Sequence, residues 1–179
     1  DMLAKTYGSA VHGVDAFTIT IEVDIGQGLN FHMVGLPDSA VKESQQRVEA
    51  ALKHSGYRMP RQKTVVNLAP ADIKKEGSSY DLPIAVGILQ GSEQLSCDFL
   101  DECVIMGELA LDGELRPIKG ALPIAIEARK KGFSTFILPK KNATEAAIVD
   151  NLNVIGVANL EQAIHHLDGT APIKPLVYD

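Results

Sequence analysis

Lys75-Glu76-Gly77-Ser78-Ser79-Tyr80-Asp81-Leu82-Pro83-Ile84-Ala85 is the stretch on which the fold turns, because a loop hands over there to a helix in the middle of the chain. Gly77, Ser78 and Ser79 favour a turn. Asp81 is expected to cap a helix that carries Leu82, Ala85, Val86 and Leu89 on its inner side. Pro83 is tolerated, since a first helical turn needs no amide donor. Upstream, Lys63 to Leu68 reads as a strand. Earlier still, Phe17, Ile19, Ile21, Val23 and Ile25 alternate with Thr18, Thr20, Glu22 and Asp24, the period of a half-buried strand. Gly26-Gln27-Gly28 then turns into the alternation of Leu29, Phe31 and Met33, which predicts a hairpin. From Asp38 to about Ser55 the period is helical, with Val41, Val48, Ala51 and Leu52 on one side and Gly56 as the stop.

Downstream, Val104 to Leu109 and Glu114-Leu115, joined through Asp112-Gly113, predict a second hairpin. Ile118, Ala121, Leu122, Ala125 and Arg129 form one helical stripe that Gly132 ends. Thr135 to Leu138 and Asn153 to Val157 read as strands. Asn142 with Glu145, and Asn159 with Gln162, read as caps of two short helices. Strands and helices mix without a strict βαβ repeat, so the expectation is an α+β fold in two layers, a mixed sheet packed against helices.

The bulk numbers fit one ordinary domain: 179 residues, 45% hydrophobic and 22% charged. A chain of this size buries roughly 70% of its unfolded surface, so its core needs neither metal nor disulfide. The formal charge of −6 gives little overall pull on nucleic acid, so any DNA contact needs a local basic face. No apolar run reaches the roughly 18 residues of a membrane span, and no signal peptide opens the chain. Two cysteines, Cys97 and Cys103, fit a reducing compartment, and a cytoplasmic protein is expected. Asp1 reads as an addition before a natural start at Met2. Residues 2–167 form the expected domain. Residues 168–179, with Gly169, Pro172 and Pro175, read as a linker.

Ser79 stands before the expected helix start, where free amides and the helix dipole favour developing negative charge. A nucleophile would profit from that, but Ser78 and Ser79 satisfy the same amides if they are turn residues. A serine hydroxyl is also a poor nucleophile until a base takes its proton. Lys119, near an expected helix start, reads as a solvated side chain. His12, His32, His54, His165 and His166 lack ligand spacing, and the cysteines lack a Cys-x-x-Cys pattern, so no metal is expected. No P-loop motif occurs, which leaves this stretch without that route to ATP. Basic residues group at Arg58, Arg61 and Lys63, at Lys74 and Lys75, at Arg116 and Lys119, and at Lys140 and Lys141. Brought to one face they would track a phosphate backbone, and left apart they are ordinary solvated side chains.

Several long runs carry a family resemblance. They are Ala4-Lys5-Thr6-Tyr7-Gly8-Ser9-Ala10, Gly35-Leu36-Pro37-Asp38-Ser39-Ala40-Val41-Lys42-Glu43-Ser44 and Val66-Asn67-Leu68-Ala69-Pro70-Ala71-Asp72. To these are added the stretch quoted first and Gly107-Glu108-Leu109-Ala110-Leu111-Asp112-Gly113. Together they resemble the N-terminal domain of the ComM/YifB family of Mg-chelatase-like AAA+ ATPases. The resemblance implies a Lon-protease-like fold of the ribosomal-protein and GHMP-kinase type. It implies a following AAA+ module that uses ATP and Mg, and a hexameric ring that drives DNA branch migration in natural transformation and recombination. RadA recombination motors are similar in carrying a Lon-like domain without protease chemistry, which supports DNA binding and ring assembly. Against the Lon-type proteases, Ser79 matches the serine position while Leu122 stands where the lysine base belongs. Lys119 would share a helical face with position 122, roughly 5–6 Å away. Three readings follow: a non-catalytic accessory domain, a residual hydrolase using Ser79 with Lys119, or a pure oligomerisation and docking module. Nothing in these residues points to a porphyrin.

Overall fold

Two long strands, β1 (Met2–His12) and β2 (Asp15–Gly26), pair antiparallel from Met2↔Ile25 to His12↔Asp15 across a Gly13-Val14 turn. The structure is a computed structural model describing residues 2–179. β2 carries the expected alternation, with Ile19, Ile21, Val23 and Ile25 buried. Phe17 falls beyond the covered part of the strand and stays 40% exposed. β1 carries no such hydrophobic signature because its inward side chains are small: Ala4, Thr6 and Ala10.

That smallness lets a helix lie close. Helix α3 (Asp81–Gly91) packs on β1 and β2 and is buried on nearly every side, since α2 (Ser44–His54) covers it from above. A Cβ at Gly87 would stand 2.7 Å from Val23 Cγ2, and the Thr6 hydroxyl donates to the Pro83 carbonyl at 2.9 Å. The helical span expected from Asp38 to Ser55 is two helices, α1 (Ser39–Lys42) and α2, jointed at Glu43. Asp38 caps α1 by accepting from the Val41 amide at 2.8 Å. Gly56, at φ +87°, follows α2 as expected.

The predicted hairpin between β2 and the next strand does not form. β3 (Phe31–Val34) pairs parallel with β4 (Lys63–Ala69), and β4 pairs antiparallel with β2, so the sheet order is β1-β2-β4-β3. The turn signal at Gly26-Gln27-Gly28 marks where a strand ends, not which strand it pairs with. β4, the strand that separates β2 from β3, arrives only after α1 and α2.

In the second half, β5 (Cys103–Ile105), β8 (Thr135–Pro139) and β9 (Asn153–Val157) make a parallel three-stranded sheet. β6 (Glu108–Leu109) and β7 (Leu115–Arg116) make a small separate hairpin around Asp112-Gly113. The expected strand from Val104 to Leu109 is thus two strands in different sheets. All five residues of β8 are buried, as the central strand of a covered parallel sheet requires. Helix α4 (Ala121–Lys130) packs against β1, β2 and β8, while α5 (Ala143–Ala146) and α6 (Leu160–Leu167) lie against β9. The Asn159 cap holds, accepting from the Gln162 amide at 2.9 Å. The Asn142 cap does not, because its amide side chain bonds both backbone groups of Ile118, and Glu145 accepts from Leu122 N instead. The mixed α and β architecture, sheets packed against helices, stands as read. Residues 168–179, expected as a linker, fold back at least as far as Leu176, whose amide donates to the Val154 carbonyl at 2.9 Å.

Candidate functional site

Ser79 sits in the wall of an open cleft of about 560 Å³ that Ser78, Asp38, Glu76, Glu108 and Lys119 also line. The loop that carries it is held by hydrogen bonds to the 36–38 segment. Lys75 N donates to the Leu36 carbonyl at 3.0 Å, Asp38 N to the Lys75 carbonyl at 2.9 Å, and Gly77 N to Asp38 Oδ2 at 3.2 Å. Gly77, at φ +86°, supplies the left-handed turn that a side chain would resist.

The amides expected to await a developing anion at the start of α3 are already engaged. Asp81 N donates to the Ser78 carbonyl at 3.3 Å, and Leu82 N to the Gly107 carbonyl at 3.0 Å. Gly107 N in turn donates to the Ser79 carbonyl at 2.8 Å. Ser78 gives its hydroxyl to Glu108 Oε1 in a short hydrogen bond, and Arg116 approaches the other oxygen of that carboxylate at 3.5 Å. Among the described residues the Ser79 hydroxyl has no hydrogen-bond partner. Lys119 lines the same cleft, but it precedes α4, with Gly120 at φ +77° between them, so the shared helical face with Leu122 does not exist. Leu122 packs against the core.

Asp81 is not the helix cap; Tyr80 occupies that position and Asp81 is the first helical residue. Its carboxylate, fully buried, accepts from Arg47 Nε at 2.7 Å, from Arg47 Nη2 at 3.0 Å and from Leu109 N at 3.0 Å. Burial pushes the carboxyl up from the ordinary range while the Arg47 hydrogen bonds pull it down. With both fork nitrogens in place the pair fastens α2, α3 and β6 together. Burial likewise pushes the Tyr80 phenol well up.

The sequence-predicted cations do not gather on one face of the cleft. Lys75 leaves the set: it is 0% exposed, and its ammonium donates to the Gly35 carbonyl at 2.7 Å and to the Pro70 carbonyl in a short bond. A phosphate cannot reach it, and burial pulls its pKa down. Lys74 is exposed and pairs with Glu76 at 3.7 Å. Arg116 shares a second concavity, of about 600 Å³, with Lys140 and Lys141. Arg58 and Arg61 line a third, of about 930 Å³, and exposed Lys63 begins β4 beside it. Sequence reasoning missed Lys53, Phe31 and Tyr57, which also line this third groove. The four-residue spacing of Gln45, Glu49 and Lys53 along α2 was the available signal. Among the described residues no cluster of three His, Cys, Asp or Glu side chains is poised to hold a metal ion. No helix there is long and apolar enough to cross a membrane.

Residues 21–142 match the model of the family described as subunit ChlI of Mg-chelatase. The chain is 44% identical over 168 residues to the Escherichia coli protein YifB, which covers 93% of this chain and 33% of YifB. It is 43% identical over 168 residues to the competence protein ComM of Haemophilus influenzae, again 93% of this chain and 33% of the relative. The DNA repair protein RadA of Haemophilus influenzae is more distant, at 30% over 168 residues, 91% of this chain and 36% of RadA. The chain therefore spans about a third of the length of the curated relatives it matches.

Proposed function

The chain belongs to the family of subunit ChlI of Mg-chelatase, and from that premise we propose that it is a non-catalytic accessory domain of a AAA+ ATPase that acts on DNA. The fold is proposed to be Lon-protease-like. Its task is to support ring assembly and to guide DNA, while ATP and Mg are bound and hydrolysed in a separate module of the longer protein. That protein is proposed to be a cytoplasmic hexamer that drives branch migration during recombination and transformation.

One observation carries this reading: a unit with its own continuous core accounts for nearly all of this chain but for only about a third of ComM and YifB. The remaining length leaves room for a motor. The likeness to ComM, a competence protein, and to RadA, a DNA repair protein, favours DNA over porphyrin as the material worked on. The cleft supports the non-catalytic part, since among the described residues the Ser79 hydroxyl makes no hydrogen bond to a base and the first amides of α3 are spent on backbone carbonyls.

The test is ATP hydrolysis by the full-length protein. Single-stranded or branched DNA is expected to raise its rate several-fold, and the 179-residue chain alone is expected to hydrolyse none. A full-length protein whose hydrolysis ignores DNA would overturn the DNA assignment.

A further inference from the structure

The third groove is set apart from the other two by its pair of partly open rings and by carrying a single carboxylate among the described residues. One wall is the outer face of α2, ending in Lys53; the other is the 56–62 connection, which presents Arg58 and Arg61. Among the described residues Glu49 is the one carboxylate in the lining. Among the described residues Lys53, Arg58 and Arg61 form no ion pair, although the chain as a whole carries −6. Arg116, by contrast, is spent on Glu108 and Lys74 on Glu76. Unpaired cations facing one another across a concavity are a standing attraction for a polyanion.

The floor adds a second kind of contact. Phe31, at the start of the outer strand β3, and Tyr57 both pack on the core with part of each ring left open to the groove. The 56–62 connection is pinned in place. Tyr57 N donates to the Leu52 carbonyl at 2.8 Å. Gln94 holds both backbone groups of Arg58, at 3.0 and 2.8 Å, and Gln62 Nε2 reaches the Gly26 carbonyl at 3.4 Å. A cationic track with aromatic platforms on a preordered backbone is the arrangement that takes unpaired nucleotides, whose phosphates meet the cations while their bases stack on the rings. A duplex keeps its bases stacked on each other and offers these rings nothing.

We propose that this groove holds single-stranded DNA, with phosphates against Lys53, Arg58 and Arg61 and bases against Phe31 and Tyr57. The choice of DNA over RNA rests on the DNA-directed function proposed above; the groove chemistry itself requires only a single strand.

The test uses the 179-residue chain and a fluorescent oligothymidylate of roughly 15 nucleotides, the upper range of one compact single-strand site. Binding should weaken at least about tenfold in the Arg58→Ala/Arg61→Ala double variant, and the log–log salt slope should fall by about 1.4, or 0.7 for each lost phosphate contact. Both side chains are exposed, so the fold is retained, and Lys130→Ala serves as a surface control with unchanged affinity. A 5-iodouracil version of the oligonucleotide should crosslink at Phe31 or Tyr57, which checks the rings without substituting side chains that pack on the core. The proposal is overturned by absence of binding at low salt, by wild-type affinity in the double variant, or by crosslinks confined to other surfaces. Duplex bound as tightly as single strand would overturn it as well, and RNA bound more tightly than DNA would overturn the choice of DNA. If DNA stimulates the full-length ATPase while the double variant keeps its affinity, the groove alone is wrong. If the groove binds as stated while DNA leaves ATP hydrolysis unchanged, the motor reading alone is wrong.

Discussion

Lys75 carries an ammonium into a site where main-chain carbonyls, not a carboxylate, receive it. The two carbonyls satisfy the ammonium in place of water, while burial pulls its pKa down. The side chain thereby ties the segment after β3 to the loop after β4, and the two together position the Ser79 loop. Its sequence neighbour Lys74 looks identical in composition terms yet stays in solvent; only the path of the backbone separates their roles. Ser79 is the converse case, a residue whose type and position suggest chemistry and whose surroundings withhold it. A fluorophosphonate probe is expected to leave the chain unlabelled at neutral pH and above about pH 10, where an ordinary lysine amine is free. Ser79→Ala should shift the unfolding free energy by no more than about 0.5 kcal/mol. Labelling that disappears in Ser79→Ala would revive a hydrolase with Lys119 as its base.

Among the elements, α3 shows how composition sets distance. Its glycines face the sheet: a Cβ at Gly87 would meet Val23 Cγ2 at 2.7 Å, and one at Gly91 would meet Ile25 Cδ1 at 3.2 Å. Small residues in β1 complete the bed, so helix and sheet approach more closely than a helix of leucines would allow. Gly87→Ala therefore sets two effects against each other. Alanine improves helix propensity by about 1 kcal/mol, and overpacking costs about 1–3 kcal/mol. The expected outcome in urea denaturation is a net loss of about 1 kcal/mol. In a double-mutant cycle the coupling with Val23→Ala should be favourable, because the shorter side chain removes the clash. A more stable Gly87→Ala protein would mean that the close approach does not constrain this helix.

At the scale of the whole molecule, a histidine of α6 fastens the segment that follows it. His166 Nδ1 accepts a hydrogen bond from Ile173 N at 2.9 Å, which requires that nitrogen to be unprotonated, and burial holds the His166 pKa below its ordinary value. A histidine with a lowered folded-state pKa contributes stability that is fully present above the unfolded value of about 6.5, and that contribution is lost as pH falls from there through the folded value. Acidification should therefore loosen residues 170–176 before the core responds. Hydrogen exchange at the Ile173 amide, corrected for its intrinsic pH dependence, should show less protection near pH 5 than near pH 7.5. Equal protection at both pH values would show that the His166 bond does not hold the tail.

Local pattern was enough to mark β2, β4, β8, β9, α2 and α3, the Asn159 cap and the stop at Gly56, because alternation, helical stripe and capping residues act over a few neighbours. β1 escaped for the same reason, since its inward face is made of small side chains that leave no hydrophobic period. Pairing was decided only in three dimensions. β4 inserts between β2 and β3, and Val104 and Glu108 enter different sheets, because a strand's partner depends on how distant segments share one core. The cleft followed the same division: Ser79 and Lys119 could be named from the chain, while the occupied amides of α3, the burial of Lys75 and the meeting of Lys53, Phe31 and Tyr57 with Arg58 and Arg61 arise from long-range packing that no short window of residues encodes.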